Sequence, residues 1–261
     1  MKVKSLLAVF MIIAGIMACN KEEAPATLDT VTDKVQLSLD SLDNALESVC
    51  TAVAPVVNDQ AAIRAQLTVL YVATSFIKEV AFVSPQGIME IIEPADYYEF
   101  EGTDFSNDPD LMAVLNSGEP ALSDLFIATE GYPGVADMHP VGTSTNKLGV
   151  IEALFTPSEL LGEIIEPLVS APNEIWIMGK DGTILYDVDE TENGVNVFTD
   201  DDFAEFDNFV TACHTIADNE SGQTTYTFYA TGTQNPVTKK AWWTTITHHG
   251  NEWKIIWAEE K

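Results

Sequence analysis

Basic residues are scarce in this chain. Its 261 residues include 12 lysines and arginines against 41 aspartates and glutamates, which gives a formal net charge of −29. The single arginine is Arg64. Because so acidic a surface repels phosphate backbones and anionic lipid headgroups, the composition argues against nucleic acid and anionic lipid surfaces as partners. Two explanations of the charge stay open: solubility or a saline habitat, and attraction of a cationic ligand.

Catalytic motifs are also missing. The three cysteines, Cys19, Cys50 and Cys213, form no Cys-x-x-Cys pair, and there is no His-Glu-x-x-His, phosphate loop or Gly-x-Ser-x-Gly. A nucleophile–base pair of Ser123 with His139 would lack a third group and an oxyanion motif. We therefore expect no catalytic residues, no cofactor and no enzyme activity.

Two segments have some features of a metal site but do not meet its requirements. His248 and His249 occupy a tight turn with no third ligand near in sequence, so we expect them to be exposed turn residues. Residues 187–194 are acidic, but Gly194 comes two positions late for a calcium loop and the closing glutamate is missing. The sequence therefore predicts no metal.

Hydrophobic runs long enough to cross a membrane are absent. The apolar segment Leu6–Met17 follows Lys2 and Lys4 and contains about 12 residues, fewer than the roughly 20 that span a bilayer. A basic start followed by a short apolar core is typical of a secretory signal peptide. No second run approaches the length that a span requires.

The apolar segment ends in Ile16-Met17-Ala18-Cys19, which resembles the lipobox of prokaryotic lipoproteins. The resemblance implies a signal peptide over residues 1–18, lipid on Cys19 and a polar tether over 19–27. The expected location is extracytoplasmic, with the protein anchored to a membrane by lipid on Cys19. The alternative is an ordinary signal peptide with an incidental cysteine.

A long helix is predicted to follow the tether. Apolar residues recur at alternating intervals of three and four: Leu39, Leu42, Leu46, Val49 and Val53. We expect a helix over residues 28–54, in a spine segment that reaches residue 57. At about 1.5 Å per residue it would be about 40 Å long, enough to support two small domains. A coiled coil is the competing interpretation.

The rest of the chain repeats one order of elements: strand, turn, strand, helix-containing connection and antiparallel strands. A helix near residues 59–74 precedes the first set. The predicted strands are Ile77–Val83, Ile88–Ile92, Gly134–Val141, Lys147–Phe155, Glu174–Met178, Thr183–Tyr186, Thr224–Ala230, Lys239–Thr247 and Glu252–Ala258, and the helices are Pro109–Asn116, Pro157–Ile165 and about Asp201–Ala217. The fold class is therefore α+β, with two modules of mostly antiparallel sheet flanked by helices, at 58–166 and 167–261.

This order resembles the double-Cache family of extracellular sensor domains, whose modules have a PAS-like fold. The resembling segments include FVSPQGIMEI, LGVIEALFTPSEL, IWIMGKDGTILYD and KKAWWTTITHHGNEWKIIW, and the likeness covers about residues 28–260. It implies a distal module with a small-molecule pocket and a proximal module that normally leads into a transmembrane helix. This chain ends after the second module, so passing a signal inward is expected to need a separate membrane receptor or kinase.

The resemblance also directs attention to pocket residues. Amino-acid-binding members use an arginine and a late-strand aspartate, but Arg64 lies on the preceding helix and Leu154 stands at the aspartate position, so amino-acid specificity is not carried over. Candidate ligand-binding residues are Tyr97, Tyr98, Phe126, Tyr132, Asp137 and His139. The alternatives are ordinary core for the aromatics, and a solvent-facing position for Asp137 and His139, which share one face of a strand.

Two further expectations follow from the resemblance. Cys50 lies near the far end of the spine and Cys213 on a helix of the proximal module, too far apart for a disulfide, so both should be free and mostly buried. The chain is expected to be a sensor or small-molecule-binding lipoprotein that passes or presents its ligand to a membrane partner. The alternative is a ligand-free structural lipoprotein that docks on a membrane receptor.

Overall fold

The computed structural model describes residues 23–261. These residues form a long helix followed by two antiparallel sheets flanked by helices, which confirms the predicted α+β fold. The predicted signal peptide and Cys19 lie outside the described residues, so the expectations about them stay predictions. Within residues 23–261, no helix combines the length and the apolar character that a membrane crossing needs.

The long helix α1 spans Ala26–Val53. Its buried side chains follow the predicted stripe, whereas Leu37 on another face is exposed. The stripe packs against strands of both sheets of the same chain. Because its apolar face is already covered in this way, the coiled-coil interpretation is wrong for these residues.

The first sheet forms the distal module. Its strands are β1 (Ile77–Val83), β2 (Met89–Glu93), β3 (Ala121–Leu122), β4 (Phe126–Ile127), β5 (Pro133–Thr143) and β6 (Asn146–Phe155). Their order is β2-β1-β6-β5-β3, with β4 also paired to β5, and every pair is antiparallel. Helices α1 and α2 (Gln60–Ala73) cover one face, and α3 (Pro109–Ser117) covers the other.

The second sheet forms the proximal module. Its strands are β7 (Glu174–Gly179), β8 (Ile184–Tyr186), β9 (Gly222–Tyr229), β10 (Pro236–His248) and β11 (Asn251–Glu260), in the order β8-β7-β11-β10-β9. Helices α1 and α4 (Pro157–Ile165) pack on one face, and α5 (Asp207–Asp218) packs on the other. Cys50 of α1 packs against the distal sheet, where its thiol contacts the carbonyl of His139, whereas Cys213 of α5 packs on the proximal sheet. Both are free and buried, as predicted.

The two modules share one continuous core. The buried cluster around α1 contains Phe155 of the first sheet and Trp253 of the second, whose ring centroids are 6.5 Å apart. The tip of the β10–β11 hairpin reaches back to the distal module, where the side-chain amide of Asn251 donates to the carbonyls of Leu122 and Ser123. Both connections bring proximal residues against the distal module.

Differences from the predicted elements are local. The helix predicted from about residue 201 is a short 3₁₀ turn, Asp201–Phe203, followed by α5. The two-residue strands β3 and β4 were not predicted. A strand of two residues has no periodicity of its own, and only its pairing with β5 defines it.

Candidate ligand-binding site

The distal module contains a cavity of about 300 Å³ between its sheet and the α3 side of the module. Strands β1, β5 and β6 supply one wall, and α3 with the β3–β4 segment supplies the other. The apolar part of the lining includes Met89, Ala136, Met138 and Leu154. This volume lies at the small end of the range of ligand pockets, so it suits a small molecule.

Acidic side chains dominate the polar part of this lining. They come from β1, β6, the start of α3 and the loops around β3 and β4: Glu79, Asp108, Asp110, Asp124, Glu130 and Glu152. Among the described residues that line the cavity there is no lysine, arginine or histidine. The cavity therefore brings several carboxyl groups together without a basic side chain among its described lining residues.

Glu79 is the least exposed of these acidic residues. It interrupts the apolar strand β1 and is 3% exposed, and its Oε2 atom is buried without a hydrogen-bond partner. Burial, with repulsion from Glu130 and Glu152, raises its pKa to about 8. A carboxyl group in this position is therefore poorly stabilised in its charged form.

The two neighbouring carboxyls show the same effect. Burial, together with repulsion from Asp108 and Glu130, raises the pKa of Glu152 to about 7. Burial also raises the pKa of Glu130, whose Oε1 atom is buried without a hydrogen-bond partner. Buried polar atoms are normally paired, so unpaired oxygens at a cavity indicate where a ligand donor could bind.

Of the four predicted aromatic residues, one lines the cavity and three do not. Phe126 lines the cavity. Tyr132 lies behind Glu79, where its buried hydroxyl interacts with that carboxyl without a well-aligned hydrogen bond, and Tyr97 packs on Tyr132 with ring centroids 6.3 Å apart. Tyr98 lies outside the cavity, 40% exposed, and its hydroxyl donates to Glu93.

Asp137 and His139 share one face of β5, as predicted, but that face lies opposite to the cavity. Their neighbours Ala136 and Met138 line the cavity instead. The solvent-facing alternative is wrong for both, because Asp137 is 0% and His139 6% exposed. Ser123, at the cavity wall, uses its hydroxyl to donate to the carbonyl of Asp124 and to accept from the amide of Ala136, so it does not pair with His139.

The expected exposure of the two turn histidines is also wrong. His248 and His249 do occupy the β10–β11 turn, but His248 is buried and the side chain of His249 is only 16% exposed, because the turn inserts against α1 and β5. Burial alone would lower the pKa of His248, but hydrogen bonding and charge attraction from Asp137 outweigh it and raise the pKa. Burial alone would raise the pKa of Asp137, but His139 and His248 lower it.

A second cavity, of about 370 Å³, lies in the proximal module. Its lining includes Lys239, which is buried and forms an ion pair with Glu174. Burial raises the pKa of Asp187 to about 7 and that of Glu192 to about 8. Because Lys239 already offsets part of the acidic charge in this cavity, a cationic ligand would stabilise its carboxyls less than those of the distal cavity.

Comparison with known proteins identifies the architecture. Residues 37–157 match the family model of the HK/GC/chemotaxis protein-like sensor domain. The chain is similar to an extracellular ligand-binding receptor from Desulfohalobium retbaense (TM-score 0.73, 21% identity), with 90% of this chain and 40% of the receptor covered. The chain has the double-Cache fold.

Two chemoreceptor domains extend the comparison. The ligand-binding domain of PctB from Pseudomonas aeruginosa, in complex with L-Arg, superposes with a TM-score of 0.66 at 14% identity, over 90% of this chain and 93% of that domain. The domain of CtaA from Pseudomonas fluorescens, in complex with L-alanine, gives 0.65 at 16% identity, over 90% and 95%. The curated proteins give no match. The sequence-based expectation of a double-Cache fold is thus confirmed.

Within this double-Cache fold, the lone arginine is not among the residues that line the distal cavity. Arg64 on α2 donates to the carbonyl of Ile92 and to the carboxylates of Glu93 and Glu101, at 3.0, 2.9 and 2.5 Å. Its guanidinium carbon also lies 4.2 Å from the ring centroid of Tyr98. Leu154 does line the cavity, so the position that resembles the family's aspartate is apolar here.

The acidic cavity was not predicted from the sequence, although a signal for it exists. Glu79 and Glu152 each interrupt an apolar strand, in IKEVAFV and NKLGVIEALF. A charged residue is seldom buried without a partner, so such an interruption on a strand with both faces covered points to a site. Glu130 gives no such signal, since it lies in a loop and only the fold brings it to the cavity.

Proposed function

We propose that this protein is an extracytoplasmic sensor whose distal module binds a small cationic ligand through an amine or related group. The observation that carries the proposal is the group of Glu79, Glu130 and Glu152 around one cavity whose described lining has no basic side chain. A bound cation would stabilise the charged carboxylates and donate hydrogen bonds to their unpaired oxygens. The chain's net charge of −29 would also favour the approach of a cation.

The same lining argues against a free α-amino acid as the preferred ligand. An amino acid carries a carboxylate that would face the acidic side chains of the cavity, and like charges at close range repel. Arg64, which could have compensated, is already engaged by Glu93 and Glu101. The ligand class that fits best is therefore an amine or diamine without a carboxylate.

Thermal denaturation of the purified chain with a ligand series tests this proposal. Putrescine and agmatine should raise the melting temperature, whereas L-arginine, L-alanine and succinate should have much weaker effects. At a hundredfold excess over Kd the stabilisation is about 2.7 kcal/mol. If only the carboxylate-bearing compounds stabilise the protein, or if no amine does, the proposed ligand class is wrong.

Two matched variants locate the binding. Glu79→Gln keeps the size of a cavity carboxyl and removes its charge, and it should weaken amine binding by at least tenfold (about 1.4 kcal/mol). Glu90→Gln, at an exposed position on the neighbouring strand β2, should bind as the wild type does. Equal weakening by both variants would mean that general surface charge, not the cavity, attracts the cation.

Proton release gives an independent measure of the same event. Since Glu79 and Glu152 have pKa values of about 8 and about 7, both are partly protonated near neutral pH. A cation that binds their charged forms must displace those protons. Calorimetry in buffers of different ionisation enthalpy should therefore detect net proton release on binding at pH 6.5, and binding without release would contradict direct contact with these carboxyls.

We further propose that lipid on Cys19 tethers this sensor and that a separate membrane receptor or kinase receives its signal. The support is the lipobox-like Ile16-Met17-Ala18-Cys19 and the polar segment that follows it. Detergent phase partitioning tests the anchor: the wild type should enter the detergent phase, and Cys19→Ser should stay aqueous or remain an uncleaved precursor. Equal partitioning into the aqueous phase would remove the anchor and most of the support for a membrane partner.

A further inference from the structure

Three histidines and two aspartates from distant parts of the chain meet between the two modules. We call this group the His–Asp cluster: Asp43, Asp137, His139, His248 and His249. Asp43 comes from α1, Asp137 and His139 from β5, and the other two histidines from the β10–β11 turn. One donor atom from each of Asp43, Asp137, His248 and His249 lies within 4.8 Å of every other.

We propose that the His–Asp cluster is a binding site for a divalent transition-metal ion, with Zn²⁺ as the first candidate. Imidazole nitrogens and carboxylate oxygens are ligands of zinc, whereas calcium and magnesium prefer oxygen alone. The proposal is independent of the amine ligand, because the cluster lies on the face of β5 opposite to the distal cavity.

The distances within the cluster suit such an ion. The Nε2 atoms of His139 and His249 lie 2.8 and 2.7 Å from Oδ1 of Asp43. The Nε2 atoms of His139 and His248 each lie 3.4 Å from a carboxylate oxygen of Asp137. In a tetrahedral site with metal–ligand bonds of about 2.0–2.1 Å, donor atoms are about 3.3 Å apart. Small adjustments of these side chains would therefore let four of the five residues complete a tetrahedral coordination.

Hydrogen bonding alone does not account for the cluster. His139 and Asp137 are both more than nine-tenths buried, yet Nε2 of His139 and Oδ1 of Asp137 have no hydrogen-bond partner. Both histidine nitrogens near Asp43 point at the same oxygen, Oδ1, and only that of His249 makes a hydrogen bond with it. His248 also makes a hydrogen bond with Asp137, whereas the close contacts of His139 with both aspartates are not hydrogen bonds. A buried histidine nitrogen between two carboxylates without an aligned hydrogen bond fits a shared central ion better than pairwise contacts.

The backbone of the turn supplies a second observation. His248 pairs with Asn251, so the turn has two central residues, His249 and Gly250, with φ angles of 48° and 88°. Asn, Asp and Gly are favoured where both φ angles are positive, and histidine is unusual there. His249 is also the only residue other than glycine with a positive φ in residues 23–261. A strained residue whose ring contacts Asp43 is consistent with a functional constraint.

The site is accessible from solvent. A cleft of about 590 Å³ is lined in part by Asp43, His139 and His249. An ion could therefore reach the buried donors of Asp137 and His248 without unfolding of the protein. Once bound, it would join α1, the distal sheet and the proximal hairpin through a single centre.

Metal analysis of the full-length chain, purified without a polyhistidine tag, tests the proposal. After equilibration with ZnCl₂ and removal of free metal, the wild type should retain about one zinc per chain, and an excess of Ca²⁺ or Mg²⁺ should not displace it. Substitution with Co²⁺ should give the visible absorption bands of a tetrahedral nitrogen–oxygen site. Absence of bound zinc, or its displacement by calcium, would overturn the proposal.

Variants assign the ligands. His249→Asn places a residue that the turn favours and should reduce zinc affinity by at least about a hundredfold, while in EDTA its melting temperature should equal or exceed that of the wild type. Asp43→Asn, on the partly exposed rim, gives a second test by the same readout. His214→Gln is the control, since His214 is the remaining histidine and stacks on Phe198 outside the cluster. Retained binding in both cluster variants, or equal loss in the control, would overturn the assignment.

Discussion

Glu79 shows how much a single buried carboxyl can determine. It lies in a strand whose other residues are almost all buried, and none of the described residues that line the cavity is a lysine, arginine or histidine that could compensate for its charge. Its ordinary pKa of 4.5 rises to about 8. The charged form of Glu79 therefore destabilises the folded protein at a position that would suit a cationic ligand. Such a conflict between stability and function is common at binding sites.

The stability of the ligand-free protein should consequently depend on pH through Glu79. Below pH 4.5 the carboxyl is protonated in both the folded and the unfolded chain; between about 4.5 and 8 the unfolded chain loses the proton first, so stability falls as pH rises. Glu79→Gln should therefore raise the free energy of unfolding by about 2–4 kcal/mol at pH 8 and by little at pH 4.5.

Urea denaturation across this pH range measures the effect. Glu90→Gln, on an exposed position of β2, serves as the control and should change stability by less than about 0.5 kcal/mol at every pH. If Glu79→Gln is as stable as the wild type at pH 8, the carboxyl is stabilised by something other than the contacts described here.

Arg64 stabilises the fold through several hydrogen bonds that its guanidinium group makes at once. Arg64→Ala would leave the buried Glu93 without its basic partner, with the Tyr98 hydroxyl still donating to it, and should lower the free energy of unfolding by about 2–3 kcal/mol. Arg64→Lys should recover only part of this loss, because an ammonium group cannot reproduce the forked contacts to Ile92, Glu93 and Glu101. Lys34→Ala on the exposed side of α1 is the control, and an equal loss there would contradict this role.

At the scale of elements, α1 depends on one face. Leu39 is fully buried in the core that both sheets share, whereas Leu37 on the same helix is 69% exposed. Leu39→Ala should destabilise the protein by about 2–5 kcal/mol, since it removes buried methyl groups and leaves a cavity. Leu37→Ala changes the same side chain at an exposed position and should alter stability by less than about 0.5 kcal/mol. Similar losses in the two variants would mean that helix propensity, not packing, stabilises α1.

The elements that could be predicted from the sequence are those with local signals. The stripe of α1 follows the helical period, and the paired strands around Ser84–Gly87 follow from the turn residues between them. The cavity-facing and opposite faces of β5 could not be assigned in the same way, because Ala136 and Asp137 are both buried and only the neighbouring helices distinguish their surroundings.

The sites were harder to predict because they are built from distant segments. His248 and His249 look like ordinary turn residues until the hairpin is placed against α1 and β5, since their burial depends on side chains more than 100 residues earlier. The aromatic side chain of Tyr98 favours a place in the pocket, but its hydroxyl contacts Glu93 on the outside of the module. Residue type indicated the chemistry in each case, but tertiary contacts decided the location.

At the scale of the whole molecule, the modules should not unfold separately. Residues of α1 contribute to a single buried cluster that includes both sheets, and Asn251 ties the proximal hairpin to the distal module. We expect one calorimetric transition whose van't Hoff and calorimetric enthalpies agree. Two resolved transitions, or proteolysis that releases one intact module, would contradict a shared core.

Strand β5 has an implication for how the sequence can change. Its even-numbered residues Ala136 and Met138 face the distal cavity, and its odd-numbered residues Asp137 and His139 face the histidines of the other module. Because side chains alternate with a period of two, inserting or deleting one residue near the start of β5 would exchange the two faces. Methionine would then enter the histidine group and a carboxylate the cavity. Substitutions can adjust either site alone, but a one-residue change in length alters both at once, so this strand should tolerate point mutations far better than insertions.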